Sequence, residues 1–261
     1  MNIQNCRSLL AVTTALVSAA FLSCASPLMA QESTSSSNWE YAAEIYLWAP
    51  KITATTPRGD SQLPFYKILD DLQFTFMGAV AARKDKWTLM TDLVYLNINN
   101  DINRVRDLPG PGGAELDVTG EVKLKSWIVT PTVGYAIHDS EKARIEILGG
   151  VRYLDLKAEL QASINGNERI DRSTSEGYWD AIIGARANIS LNDHWYMPLY
   201  FDIGTGDSDG TWQAFAGVGY KFKKFNTILA YRYLDYNFDE SNKVLEDLNV
   251  KGPFLGFMFK F

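Results

Sequence analysis

The stretch SWIVTPTVGYAI, residues 126–137, alternates two kinds of side chain. Bulky apolar residues occupy every second position: Trp127, Val129, Pro131, Val133, Tyr135 and Ile137. Mostly small residues lie between them: Ser126, Ile128, Thr130, Thr132, Gly134 and Ala136. A period of two predicts a β-strand. A water-soluble barrel would bury the bulky set, whereas a membrane barrel turns that set towards lipid.

Aromatic residues bracket this apolar face. Trp127 and Tyr135 are eight residues apart. That spacing is roughly 26 Å along a strand, or roughly 20 Å of membrane depth after a ~40° tilt. The same spacing recurs at Trp212 and Tyr220. We therefore predict that these four residues belong to two aromatic girdles, one at each membrane interface.

Period-two alternation continues along most of the chain from Trp39, and helical periodicity is nearly absent. The predicted strands are 39–50, 72–83, 87–98, 122–137, 143–157, 177–190, 195–204, 211–222, 227–238 and 252–261. We predict an all-β fold, a transmembrane antiparallel β-barrel of about ten strands within a range of eight to twelve.

The connections between these strands alternate in length. Short polar turns lie at 84–86, 138–142, 192–194 and 223–226. Mostly longer loops lie at 51–71, 99–121, 158–176, 205–210 and 239–251. Outer-membrane barrels have short periplasmic turns and longer extracellular loops. An even strand count then places both chain ends on the periplasmic side.

One hairpin pattern occurs twice. Trp127 to Tyr135 and Trp212 to Tyr220 share the spacing Trp-x5-Val-Gly-Tyr. After a short turn, each is followed by Arg-Tyr-Leu-Asp, at 152–155 and at 232–235. Internal duplication and shared membrane-interface chemistry both account for this repeat.

The N-terminus has the pattern of an export signal. Arg7 precedes an apolar run from Leu9 to Leu22, and small residues lead to Ala30. We predict a signal peptide at 1–30, a flexible lead-in at 31–38 and the barrel at 39–261. Both cysteines, Cys6 and Cys24, fall within the predicted signal, and a lipid-modified Cys24 is the alternative. The net charge of −6 excludes a nucleic-acid binder that relies on an overall basic field.

Charged residues also occur on the predicted inward face. The predicted lumen ion-pair network contains Glu44, Asp92, Glu146, Arg152, Asp180, Arg186 and Arg232. Arg144 and Lys260 are also predicted to point inward. In a narrow barrel, carboxylates and guanidiniums of opposite sign form paired hydrogen bonds. We expect Glu44 and Asp92 to neutralise Arg152 and Arg232. A plug of ion pairs and a charge-lined constriction are both compatible with this set.

The sequence offers little catalytic chemistry. His138 and His194 both fall in predicted periplasmic turns, whereas barrel hydrolases generally use a histidine near the extracellular rim. Asp207-Ser208-Asp209-Gly210 starts like a calcium loop but lacks the later glutamate, so a tight hairpin explains it better. We assign no catalytic residue, metal or cofactor. Arg58-Gly59-Asp60 matches an integrin-recognition tripeptide, and a plain turn after Pro57 is the alternative.

The C-terminal strand carries the most specific signal. Leu255, Phe257, Phe259 and Phe261 alternate on one face, and the chain ends on Phe261. This ending resembles the assembly signal of outer-membrane β-barrel proteins. The segments 212–220, 231–235 and 252–261 resemble small Gram-negative outer-membrane barrels similar in style to the OmpA and OmpW types. The resemblance implies outer-membrane location and insertion by the barrel-assembly machinery, with Phe257, Phe259 and Phe261 as the signal.

These observations predict an integral outer-membrane protein with a mostly plugged, charge-paired lumen. Its expected role is non-enzymatic, in envelope structure or in interactions through its loops. The alternative is a narrow channel or small-solute conduit, and an envelope enzyme or adhesin is less favoured. The expected partners are outer-membrane lipid and the assembly machinery, with no nucleic acid. The sequence identifies no partner for the extracellular loops.

Overall fold

Alternating side chains fold into strands throughout the part of the chain that the structure, a computed structural model, describes: residues 38–56, 59–63, 72–107, 115–164, 168–239 and 246–261. The predicted signal peptide and all of the lead-in except Asn38 lie outside the described residues, as does Arg58. Within the described ranges, no helix is long and apolar enough to cross a membrane.

The strands are β1 (Glu40–Trp48), β2 (Lys51–Thr56), β3 (Gly59–Leu63), β4 (Leu72–Lys84), β5 (Trp87–Asp107), β6 (Glu115–Asp139), β7 (Ala143–Ile164), β8 (Glu168–Ser190), β9 (Trp195–Gly206), β10 (Gly210–Lys221), β11 (Asn226–Asn237) and β12 (Asp247–Lys260).

The sheet closes on itself. Neighbouring strands from β4 to β12 pair antiparallel in chain order, and β1 joins β4 on one side to β12 on the other. Beyond a break at Ala49-Pro50, β2 continues along the same partner, β12. Together β1 and β2 therefore act as one barrel strand, and β3 is an extra strand that folds back on β2. The predicted ten-stranded antiparallel barrel is confirmed.

A hydrogen-bonded row followed around the barrel gives the strand tilt. It leaves β12 at Lys260, crosses Ala42 of β1 and Thr132 of β6, and returns to β12 at Leu248. The row thus closes twelve residues away from its start. For ten strands this stagger corresponds to a tilt of about 40° from the barrel axis.

Several predicted loops are strands instead. Residues 99–107 extend β5 and pair with the first part of β6, while β7 and β8 pair as far as Ile164 and Glu168. The predicted 51–71 loop contains β2 and β3. Apolar alternation weakens in these segments, so the sequence pattern does not predict them as strands. Ladder hydrogen bonds between neighbouring strands do not require an apolar face where water solvates both sides.

The two faces of the barrel differ as the alternation predicts. Many large apolar side chains point out and stay exposed, among them Ile45 at 58%, Ile183 at 66% and Leu229 at 65%. The inward positions between them are buried, including Tyr46, Ile182 and Ile228. A monomer in water rarely exposes a contiguous apolar band. The outer surface is therefore that of a transmembrane barrel.

We predict a heat-modifiable protein, because closure leaves no barrel edge at which detergent can begin to open the sheet. Unboiled and boiled samples should migrate differently on a detergent gel. Identical migration, together with recovery in the soluble periplasmic fraction, would contradict a membrane barrel.

Candidate functional site in the barrel lumen

A charged cluster lies around Arg232 of β11. Its guanidinium donates to Asp92 Oδ2 at 2.7 Å, to Tyr46 OH at 3.0 Å and to Gln213 Oε1 at 2.8 Å. Tyr46 in turn donates to Asp92 Oδ1 at 2.6 Å. The guanidinium also lies 4.7 Å from the ring centroid of Trp48. Arg232 thus ties together side chains from β1, β5 and β10 across the lumen.

A second cluster lies around Arg152 of β7. Arg152 pairs with Asp202, and both side chains are completely buried. It also donates to Thr211 Oγ1 at 3.1 Å. Asp180, whose backbone faces Arg152 in the ladder, instead accepts from the backbone N–H and the hydroxyl of Ser208 at 3.0 and 2.8 Å.

The predicted pairing was therefore partly wrong. Asp92 pairs with Arg232, but Arg152 pairs with Asp202, which the sequence analysis did not single out. Asp202 had the right parity, because it shares the inward face of β9 with buried Tyr196. Alternation in the sequence shows which face of a strand a residue lies on. It does not show the level along the barrel axis at which side chains of two tilted strands meet.

Glu44 makes no ion pair among the described residues, and its Oε1 has no hydrogen-bond partner there. A Cβ added at Gly256 would lie 2.4 Å from that oxygen, so glycine leaves the space that the carboxylate occupies. Glu44 was expected to neutralise an arginine, and the structure does not show that contact.

A third cluster lies nearer the predicted periplasmic end. Glu146 accepts from Thr88 at 2.7 Å, from Arg144 at 2.7 Å and from Arg186 at 2.6 Å. Arg144 also reaches Asp139. The predicted members Glu146 and Arg186 are therefore in direct contact. Lys260, which shares their parity, is exposed and makes no ion pair within the described residues.

Apolar and aromatic side chains fill the space around the arginines. Trp48, Leu154, Leu234 and Tyr236 are each 1% exposed or less. The rings of Tyr46 and Phe254 are 4.4 Å apart, and Phe215 meets Phe254 edge-on at 5.0 Å. Aromatic and aliphatic side chains therefore pack around the Arg152–Asp202 and Arg232–Asp92 ion pairs in the middle of the barrel.

The two Arg-Tyr-Leu-Asp segments occupy matching positions. Arg152 and Arg232 point inward and are buried, and Leu154 and Leu234 are both completely buried. Tyr153 and Tyr233 point outward, where their rings lie 4.4 Å from Trp179 and 4.4 Å from Trp212. The repeat therefore places one lumen arginine and one outer-face tyrosine in each copy.

The predicted girdle residues lie on the outer face with aromatic partners. The Trp127 ring lies tilted against that of Tyr95 at 4.3 Å, and Tyr135 meets Trp87 edge-on at 4.9 Å. Tyr220 meets Trp195 at 5.0 Å. In the ladder, Tyr95 is opposite Trp127 and Trp87 is opposite Tyr135. The two pairs are separated by eight residues on each strand. Phe257, Phe259 and Phe261 also lie exposed on this face.

The histidines lie at exposed positions and make no contact with the buried arginines Arg152 and Arg232. His138 Nε2 is 3.1 Å from Ser140 Oγ, but that hydroxyl already exchanges hydrogen bonds with the backbone of Ala143 in an exposed turn. His194 stacks on Tyr220 in the turn before β9. Among the described residues, no group of three or more His, Cys, Asp or Glu side chains comes together to hold a metal ion.

No protein-family model matches the chain, and no curated protein matches it. Its fold is similar to the translocator domain of autotransporter NalP from Neisseria meningitidis, at 14% identity and TM-score 0.48, covering 87% of this chain and 89% of that one. It is also similar to the attachment invasion locus protein Ail of Yersinia pestis, at 12% identity and TM-score 0.35, covering 85% and 98%. The N-terminal β-barrel domain of Pseudomonas aeruginosa OprF matches at 12% identity and TM-score 0.30, covering 85% and 97%. Likenesses this distant assign no function.

We predict that Arg232→Ala lowers the free energy of unfolding by about 3–5 kcal/mol, because it strands the Asp92 carboxylate without its charge partner. The Asp92→Ala/Arg232→Ala double variant should lose less than the sum of the single losses, since no unpaired charge remains. Urea unfolding in detergent measures both. Additive losses, or a loss below about 1 kcal/mol for Arg232→Ala, would mean that water solvates the pair.

Glu44→Gln is the matched control at another buried charge of the lumen. Glu44 has no ion pair to lose, so this substitution should not lower the free energy of unfolding. A loss as large as that of Arg232→Ala would show that Glu44 neutralises an arginine after all.

Proposed function

We propose that the protein is an integral outer-membrane β-barrel whose lumen is closed by its own side chains. Its role is non-enzymatic, in envelope structure or in interactions through its extracellular strands and loops. The observation that carries this proposal is the packed middle of the lumen, where the Arg152 and Arg232 ion pairs lie among buried aromatic and aliphatic residues.

The outer face supports the membrane placement. Exposed aliphatic and aromatic side chains surround the barrel, and Trp–Tyr pairs lie near both ends of the apolar band. Tryptophan and tyrosine favour membrane interfaces because one end of each ring system is apolar and the other is polar. A β-barrel with such a belt is typical of the Gram-negative outer membrane.

The nature of the charges supports a closed lumen over a pore. Pores that select ions usually carry an excess of one sign along a wet pathway. Here Asp202 is completely buried against Arg152, and the Arg232 side chain is 4% exposed against Asp92. Each pair neutralises itself, and the neighbouring positions hold apolar side chains such as Phe254 and Leu234.

The length of strands β5 to β8 supports a role at the extracellular end. Strands β5 to β8 continue pairing well beyond the girdle residues Tyr95, Trp127 and Tyr153. The exposed position of His138 at the end of β6 and the stacked ring of His194 support a non-enzymatic role.

We predict that the wild-type protein adds no steady ion conductance to a planar lipid bilayer. The Asp92→Ala/Arg232→Ala double variant should show opening events, because it removes the side chains that bridge the lumen without leaving a stranded charge. Lys123→Ala, on the outer face, is the matched control and should stay closed. Steady, ion-selective conductance of the wild type would favour the narrow-channel alternative.

We predict that deleting Phe261 lowers outer-membrane yield in cells while refolding into detergent stays nearly normal. Phe261 is a single side chain, 74% exposed on the lipid-facing side, and its burial in lipid contributes only about 1.5–3 kcal/mol. Recognition by the assembly machinery is therefore its expected role. Phe222→Ala on the same face is the control, and equal yields for wild type and the deletion would contradict this assignment.

A further inference from the structure

Two pairs of lysines face each other across neighbouring strands of the outer surface. Lys51 of β2 is directly opposite Lys251 of β12. Lys125 of β6 is directly opposite Lys157 of β7. Directly opposed side chains on one face have Cβ atoms about 4.5–5.5 Å apart, so like charges at these positions are destabilising.

Carboxylates do not neutralise these pairs fully. Asp155 lies 3.7 Å from Lys157. Within the described residues, Lys51, Lys125 and Lys251 form no ion pair. Nearby Lys123 is different, because it lies 3.3 Å from Glu121. The Asn99 amide, and then Lys123, hold the pKa of that glutamate below its usual value.

Both lysine pairs lie at the girdle predicted to be extracellular. Lys125 is two residues beyond Trp127 on the same face of β6. Lys251 faces Tyr233 in the ladder, and its ammonium lies 5.4 Å from the Tyr233 ring centroid. Girdle aromatics sit at the level of lipid headgroups. The lysine pairs therefore lie where headgroup phosphates are found.

Polar and aromatic side chains that contact one another lie beside Lys251. Asn249 donates to Asp235 Oδ2 at 2.6 Å and also contacts the Tyr233 hydroxyl. Tyr233 stacks on Trp212 at 4.4 Å. Asp235 accepts from Asn249, and among the described residues it forms no ion pair with Lys51 or Lys251.

We propose that each lysine pair binds one phosphate of a phosphorylated glycolipid in the extracellular leaflet. A phosphomonoester carries about −1.5 to −2 charges and three acceptor oxygens, which matches two ammonium groups. A phospholipid phosphodiester carries a single negative charge and leaves one lysine unneutralised. The proposal uses the membrane orientation given under the proposed function, but it does not depend on whether the lumen conducts.

The test is thermal unfolding in nonionic detergent, with and without a diphosphorylated glycolipid of the lipid A type. Lipid should raise the unfolding temperature of the wild type more than that of Lys51→Gln/Lys251→Gln, which keeps only the Lys125 and Lys157 pair. Without lipid, the double variant should be at least as stable as the wild type, because it loses a repulsion. The effect of the substitution on stability therefore changes sign when lipid is added.

The control variant is Lys84→Gln/Lys86→Gln. These lysines lie 5.9 Å from the rings of Trp39 and Tyr135 at the opposite end of the barrel, so this variant should respond to the lipid as the wild type does. Equal lipid shifts for the wild type and Lys51→Gln/Lys251→Gln would overturn the proposal. So would an equal shift with the dephosphorylated glycolipid or with phosphatidylglycerol. Either result leaves the conductance measurement on the lumen unaffected.

Discussion

The ion pair between Arg232 and Asp92 joins β11 to β5, which β12, β1 and β4 separate around the barrel. A closed barrel satisfies its backbone through strand pairing, but it leaves an interior that side chains or water must fill. Arginine reaches far enough to bridge such an interior, and a buried guanidinium requires a carboxylate beside it. Tyr46 and Gln213 accept hydrogen bonds from the same guanidinium, and the Trp48 ring lies against it.

The repeated Arg-Tyr-Leu-Asp segments show how the wall and the interior are coupled. Strand alternation sends the arginine and leucine inward and the tyrosine outward. Each copy therefore supplies one charge for the lumen and one aromatic for the membrane interface, as Arg152 with Tyr153 and Arg232 with Tyr233. A one-residue slip of either strand would turn an arginine towards lipid and a tyrosine into the lumen. The two requirements together hold the register.

Alternation made the strand count, the faces and closure predictable from sequence, because a period of two is a local signal. Asp92, Arg152, Arg186 and Arg232 were placed inward for the same reason. The partner of Arg152 was missed, since Asp202 meets it only through the stagger of tilted strands. The sequence predicts loops at 99–121 and 158–176, where β5 to β8 continue as strands, because pairing between polar segments leaves little trace in hydropathy. The lysine pairs could not be predicted without the strand register, because Lys51 and Lys251 are far apart in sequence.

Water access to the middle of the lumen tests the closed-barrel account most directly. Ala230 points inward and is 9% exposed, while Ser140 lies in an exposed turn. Each can be replaced by cysteine in a chain whose Cys6 and Cys24 are serine. The closed lumen predicts that a charged thiol reagent modifies Ser140→Cys rapidly and Ala230→Cys only after unfolding. Modification of folded Ala230→Cys at a rate close to that of Ser140→Cys would show a water-filled pore and contradict the account.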